Sequence, residues 1–260
     1  MRPLAPRMSR LGTETAFEVL AKARALEAKG RDIVHLEIGE PDFDTPPSVV
    51  SAGVAALERG ETHYTPSAGV IELRDAIAAY LGARRGLSID PTQVVVTPGA
   101  KPIMFYALLA LLDAGDEAIY PDPGFPIYAS MIDFAGARGV PLPLRERDDF
   151  EPDLDELRHL VTDRTKVIVL NSPHNPTGGM LSDEAIREIA RLARERDLWV
   201  LSDEIYGELV YDGTHRSIMR EEGMAERTIL LDGFSKTFAM TGWRLGYGVF
   251  PRTLVEPITK

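Results

Sequence analysis

Short apolar runs, many of them β-branched, recur along the chain, and most are followed by a segment with helical spacing of its hydrophobic residues. The runs are QVVVT (93–97), EAIYP (117–121), KVIVL (166–170), WVLSD (199–203), TILLD (228–232) and LGYGVF (245–250). Continuous apolarity without alternation is the mark of strands covered on both faces. Three helices stand out between them. In SDEAIREIARLARERDL (182–198), Ser182 is placed to cap the helix, acids fill the first turn, and Ile186, Ile189, Ala190 and Ala193 share one face. PIMFYALLALL (102–112) is apolar all round and reads as a buried helix opened by Pro102, and VIELRDAIAAYL (70–81) reads as amphipathic. Strands alternating with helices predict an α/β fold, a three-layer domain around a mainly parallel sheet.

Such sheets bind ligands beyond the carboxyl ends of their strands. Polar residues fall at those ends here: Asn171 to Asn175 after KVIVL, Asp203 to Tyr206 closing WVLSD, and Ser235-Lys236 after TILLD.

Composition narrows the chemistry. With 260 residues, 44% hydrophobic and 27% charged, the chain has material for one large domain or one and a half. A net charge of −11, with no basic cluster beyond pairs such as Arg84-Arg85, argues against a nucleic-acid partner. The absence of cysteine excludes disulfides, thiolate metal sites and a cysteine nucleophile. The five histidines are scattered without ligand spacing, so no metal site is indicated. MRPLAPRMSRLG has no apolar run behind its charges, and 103–112 is too short to cross a bilayer, so a cytoplasmic protein is expected. No G-x-G-x-x-G follows any strand, which sets aside a nicotinamide dehydrogenase.

The stretch GFSKTFAMTGWRLGY (233–247) sets Lys236 among apolar residues, with Arg244 following. A neutral lysine attacks carbonyls and can anchor an aldehyde cofactor, but neutrality requires burial, which Phe234, Phe238 and Met240 are expected to supply. A lysine taken alone is more simply a solvated charge. Asp203 ends an apolar strand and needs a positive partner there, such as a cofactor's ring nitrogen; the plainer readings are a helix N-cap or a local salt bridge. Tyr206 and Asn175 are hydrogen-bond groups for a ring oxygen, although NSPHNPTGG (171–179) is equally a rigid turn. TPGAKP (97–102) joins a strand to a helix in the manner of an anion site, with Gly99 allowing close approach and Ser235 and Arg244 as further donors. Phe125 is either a stacking ring or a core aromatic.

Together these motifs resemble the fold-type I aminotransferases (class I/II), in the branch of bacterial aspartate and related aminotransferases. The resemblance runs in order through EIGEPDFDTP (37–46), HYTPSAGVIELRDAI (63–77), VTPGAK (96–101), NSPHNPTG (171–178), LSDEIYGELVYDG (201–213) and GFSKTFAMTGWRLGY. It implies the cofactor pyridoxal 5'-phosphate, with Lys236 as the Schiff-base lysine and proton carrier. Asp203 then pairs with the pyridine nitrogen, Tyr206 and Asn175 hold the ring oxygen, and Phe125 stacks on the ring. Ser235, Arg244 and the backbone of Ala100 and Lys101 hold the phosphate. Tyr64 reaches the phosphate of a neighbouring subunit, which implies a homodimer, and Gly39 meets the substrate carboxylate through its main chain.

The same resemblance implies an N-terminal arm and part of a small domain over about 1–45, and a cofactor-binding large domain over 46–260. The C-terminal small domain of such enzymes, with the arginine that grips the substrate carboxylate, has no counterpart here, so a fragment of a longer protein is expected. His174 stands where Asn is common. The implied activity moves an amino group from an amino acid to a 2-oxo acid. The alternatives are a β-lyase on the same cofactor, or a binding and dimerisation module with impaired catalysis. Which amino acid is used is not legible in the sequence.

Overall fold

A computed structural model describes residues 2–12 and 15–260; Met1, Thr13 and Glu14, inside the expected arm, lie outside the described residues. Among the described residues seven strands form one sheet: β1 (Val94–Thr97), β2 (Glu117–Asp122), β3 (Arg138–Pro143), β4 (Thr165–Asn171), β5 (Trp199–Asp203), β6 (Thr228–Gly233) and β7 (Gly246–Val249). Their order is β1-β7-β6-β5-β4-β2-β3. Neighbours from β6 to β3 run parallel, and β7 runs antiparallel to both β6 and β1. The α/β fold with a mainly parallel sheet is thus as expected.

Alternation along the strands divides the core into two layers. Val167, Val169, Leu201 and Leu231 face α4 (Lys101–Leu111), α5 (Ile127–Ala135) and α8 (Arg252–Thr259). Ile168, Leu170 and Val200 face α6 (Leu154–Leu160) and α7 (Asp183–Glu195), while Leu230 and Val249 pack with Ile77 and Leu81 of α3 (Ile71–Arg85). A strand buried on both faces has no polar face to present, and this is why its sequence does not alternate. Helices α1 (Thr15–Glu27) and α2 (Pro47–Glu58) precede the sheet. Among the described residues no helix is long and apolar enough to cross a membrane.

Two local expectations are corrected. The helix at 102–112 is not covered all round: Ile103, Met104, Ala107 and Leu108 are buried, but Tyr106 and Leu109 are 41% and 44% exposed. Strand β3 was not expected, because RGVPLP carries two prolines. It occupies the sheet edge and pairs with β2 alone, where a missing N–H is tolerated. The cap at Ser182 is present: its hydroxyl accepts from the Ala185 amide at 3.1 Å.

Candidate active site

A cavity of about 790 Å³ opens at the carboxyl ends of the central strands. Its walls include Gly39, Ala100, Lys101, Phe125, Asn175, Asp203, Tyr206, Ser235, Lys236 and Arg244, so sequence positions spread over two hundred residues meet in one place. Tyr64 is the one expected site residue that does not join them; its side chain stands fully in solvent.

Asp203 ends β5, opposite Asn171 of β4 and Leu231 of β6. It is 5% exposed and has no cation beside it among the described residues. Its carboxylate accepts from the Tyr128 hydroxyl at 2.8 Å and from the Ile205 amide at 3.3 Å. Burial pushes its pKa up to about 7, against the partial relief those two donors provide. An acid held like this either keeps its proton or, once ionised, calls for a cation from the cavity.

Lys236 lies in the loop after β6. Its ammonium donates to the Gly39 carbonyl and sits 5.6 Å from the centroid of the Tyr206 ring. Burial lowers its pKa, and Glu40 opposes that effect. Of the residues expected to supply that burial, Phe234, Phe238 and Met240, none lines the cavity. The Phe234 and Phe238 rings pack on each other at 5.7 Å, and on Tyr247 and Tyr80. The Tyr206 face and the segment around Gly39 line the cavity beside the lysine. Tyr206 itself has a raised pKa, from burial first and then the Asp203 charge.

The anion end of the cavity is formed by α4, β7 and the loop before it. Ala100, the cap residue of α4, offers no side-chain hydrogen bond to the first amides of the helix, and such amides are a ready anion site. Gly99 is left-handed at φ 89°, and a Cβ there would run into the Arg244 guanidinium. A Cβ at Gly246 would likewise press on the backbone of Gly99 and Ala100. Arg244 gives one hydrogen bond, to the Thr241 carbonyl at 2.8 Å, and has no ion pair among the described residues. Ser235 lines the same cavity. On the opposite wall Phe125 presents its ring between Lys101, whose Nζ is 5.6 Å from the centroid, and Tyr128, which meets it edge-on at 5.8 Å.

Asn175 is aimed by Asn171. The Asn171 side chain accepts from the Asn175 amide at 2.8 Å and donates to the carbonyls of Asp203 and Pro173. His174 turns away from the cavity and joins Thr177 at 2.8 Å within the loop.

Sequence reasoning missed Tyr128 and Glu40, and placed Asn171 at a strand end without giving it a role. Tyr128 lies in IYASMIDFA, where it is indistinguishable from a core aromatic. Only its partner across 75 positions, Asp203, reveals its role.

Known proteins resemble the chain in sequence and fold. The family model for aminotransferase class I and II matches residues 31–260. A probable aspartate/prephenate aminotransferase of Thermus aquaticus is 41% identical over 98% of this chain, and an aspartate aminotransferase of Musicola paradisiaca is 42% identical over 100% of it. The chain spans 66% of the length of each of these relatives. The solved aspartate aminotransferase of Thermus thermophilus with maleate superposes with a TM-score of 0.96 at 41% identity, covering all of this chain and 67% of that one. Sequence, fold and site together place this chain in the class I and II aminotransferases.

Proposed function

We propose that this chain forms the cofactor-binding part of an aminotransferase that moves an amino group from an amino acid to a 2-oxo acid. Class I aminotransferases of the aspartate aminotransferase type use pyridoxal 5'-phosphate, and the residues here fit it. A buried acid without a cation, Asp203, suits its ring nitrogen; Phe125 offers a face to its ring; Tyr206 and Asn175 suit its ring oxygen. The uncapped start of α4 at Ala100 and Lys101, with Ser235 and Arg244, suits its phosphate. The single observation that carries the reading is that Lys236 and Asp203 line one cavity: an amine made less basic by burial, and a buried acid with no cation partner among the described residues.

When bound, the cofactor supplies an aldehyde for the amino group and a ring that accepts electrons from the substrate's α-carbon. The protein's part is acid–base and positional. With the cofactor bound, Lys236 Nζ would carry the proton to and from the substrate's α-carbon, which requires it to be neutral for part of the cycle. Burial moves it toward that condition. Asp203 would pair with the ring nitrogen, and Tyr206 and Asn175 would hold the ring oxygen. Gly39, whose carbonyl already meets Lys236, lies where a substrate carboxylate would meet main chain.

We assign residues 46–260 to this large domain and 1–45 to an arm with part of a small domain. The assembly is a homodimer in which Tyr64 serves the partner's cavity, in keeping with its full exposure in its own subunit. Aspartate is one candidate donor among several.

The test is a product assay on the full protein. Cofactor-loaded protein with an amino acid should yield the matching 2-oxo acid and a new amino acid only when a 2-oxo acid acceptor is added. Pyruvate and ammonia released without an acceptor would show a lyase instead.

A further inference from the structure

Behind the site, on the opposite side of β5 and β6 from Tyr128, lies a buried charge cluster that the proposed chemistry does not use. Arg85, the last residue of α3, is 5% exposed. Its Nη1 donates to the Glu204 carboxylate at 2.9 Å, and its Nη2 to the Asp232 carboxylate at 2.5 Å and the Glu204 carbonyl at 3.5 Å. Glu204 and Asp232 are 0% and 2% exposed. Glu204 also accepts from Ser217 at 2.6 Å and Ser202 at 3.0 Å, and lies 2.9 Å from His215 Nε2. Asp232 accepts from the Tyr247 hydroxyl at 3.1 Å and the Gly233 amide at 2.6 Å.

The cluster is tied to the site through the chain. Glu204 follows Asp203 directly, and Asp232 precedes Lys236 by four positions. The guanidinium also lies against the turn that carries Tyr206, since a Cβ at Gly207 would collide with it. Three carboxylates therefore converge at the ends of β5 and β6, and a single guanidinium serves two of them. We propose that Arg85 is a positioning residue: by holding Glu204 and Asp232 on one fork it leaves Asp203 as the acid at the strand ends without a cation, and so sets the charge with which Asp203 meets a ligand. Buried like charges disfavour one another's ionisation, and a cation shared between two of them restrains that effect on the third. The groups acting on Asp203 are Tyr128 from α5, Tyr206 from the turn, Glu204 beside it and Asp232 from β6. Burial is the main cause of its raised pKa, and the fields of Asp232 and Glu204 add to it.

The inference rests on Asp203 being the acid that meets the cofactor ring, but its test does not need the cofactor. The Asp203 carboxyl is titrated by carbon-13 NMR in the cofactor-free chain. Asp232→Asn should lower its midpoint, and Arg85→Met should raise it, each by roughly half a pH unit or more, while Arg85→Lys should stay near the parent. If Arg85→Met does not fold, Asp232→Asn and Glu204→Gln decide alone: both must lower the midpoint. Variants that melt earlier yet leave the midpoint unmoved, carboxylate variants that raise it, or an Arg85→Met that lowers it as they do, would make the cluster purely structural and overturn the proposal. Reductive labelling of Lys236 by pyridoxal phosphate is followed separately, so a failure of the cofactor reading is seen apart from a failure of this one.

Discussion

Asp203 shows how a buried acid costs stability. Its folded pKa of about 7 lies above the ordinary 3.8, so between those values the folded chain holds a proton that the unfolded chain has lost. Stability of the cofactor-free chain should therefore fall as pH rises from about 4 to about 7, and change little from this cause above that. Asp203→Asn removes the ionisation and should stabilise the cofactor-free chain at pH 8 by about 2–4 kcal/mol, read by urea unfolding, while weakening cofactor binding. A variant no more stable than the parent at pH 8 would mean that the carboxylate is not under strain. Tyr128→Phe acts the other way. It removes a donor that favours the carboxylate, so the Asp203 midpoint should rise, with a loss of about 1–3 kcal/mol at high pH. A midpoint that stays put would show the hydroxyl to be incidental.

At the level of elements, the join between β1 and α4 is the most demanding. Gly99 combines a positive φ with contact against Arg244, so Gly99→Ala should cost about 1 kcal/mol or more in stability. Because it pushes the guanidinium aside, it should also weaken pyridoxal phosphate binding more than pyridoxal binding, by about tenfold. Equal weakening of both ligands would place the phosphate elsewhere. Elements such as β4, β5 and β6 were legible because strands buried on both faces must be uniformly apolar. β3 was not, since an edge strand accepts prolines that local rules read as breaks. The partial exposure of α4 was hidden because its outer face, with Tyr106 and Leu109, is as apolar as its inner one. The site was legible wherever a residue closes a strand or opens a helix, as with Asp203, Lys236 and Gly99. Tyr128 and Arg85 were not, for their meaning lies in partners 75 and more than 100 positions away, and no local spacing encodes that.

Over the whole molecule, the cavity is walled by the strand ends on one side and the segment Glu37–Glu40 with α1 on the other, so it joins sheet and arm. Val50, Val54 and Leu57 of α2 stand exposed along one helix, and Tyr64 follows them outward. If the homodimer is correct, Tyr64→Phe should weaken cofactor binding several-fold although Tyr64 lies outside its own cavity; a monomer would show no change in an equilibrium titration. Above all, Lys236 is proposed to be a nucleophile held in a pocket rather than a charge in water. Titrating the chain with pyridoxal phosphate, reducing with borohydride and mapping the labelled peptide, beside Lys236→Ala, decides between the two. A nucleophile gives a visible band in the parent and a stoichiometric label on Lys236, with both absent in the variant. A parent labelled on several surface lysines, or a variant labelled as fully as the parent, would leave Lys236 a charge in water.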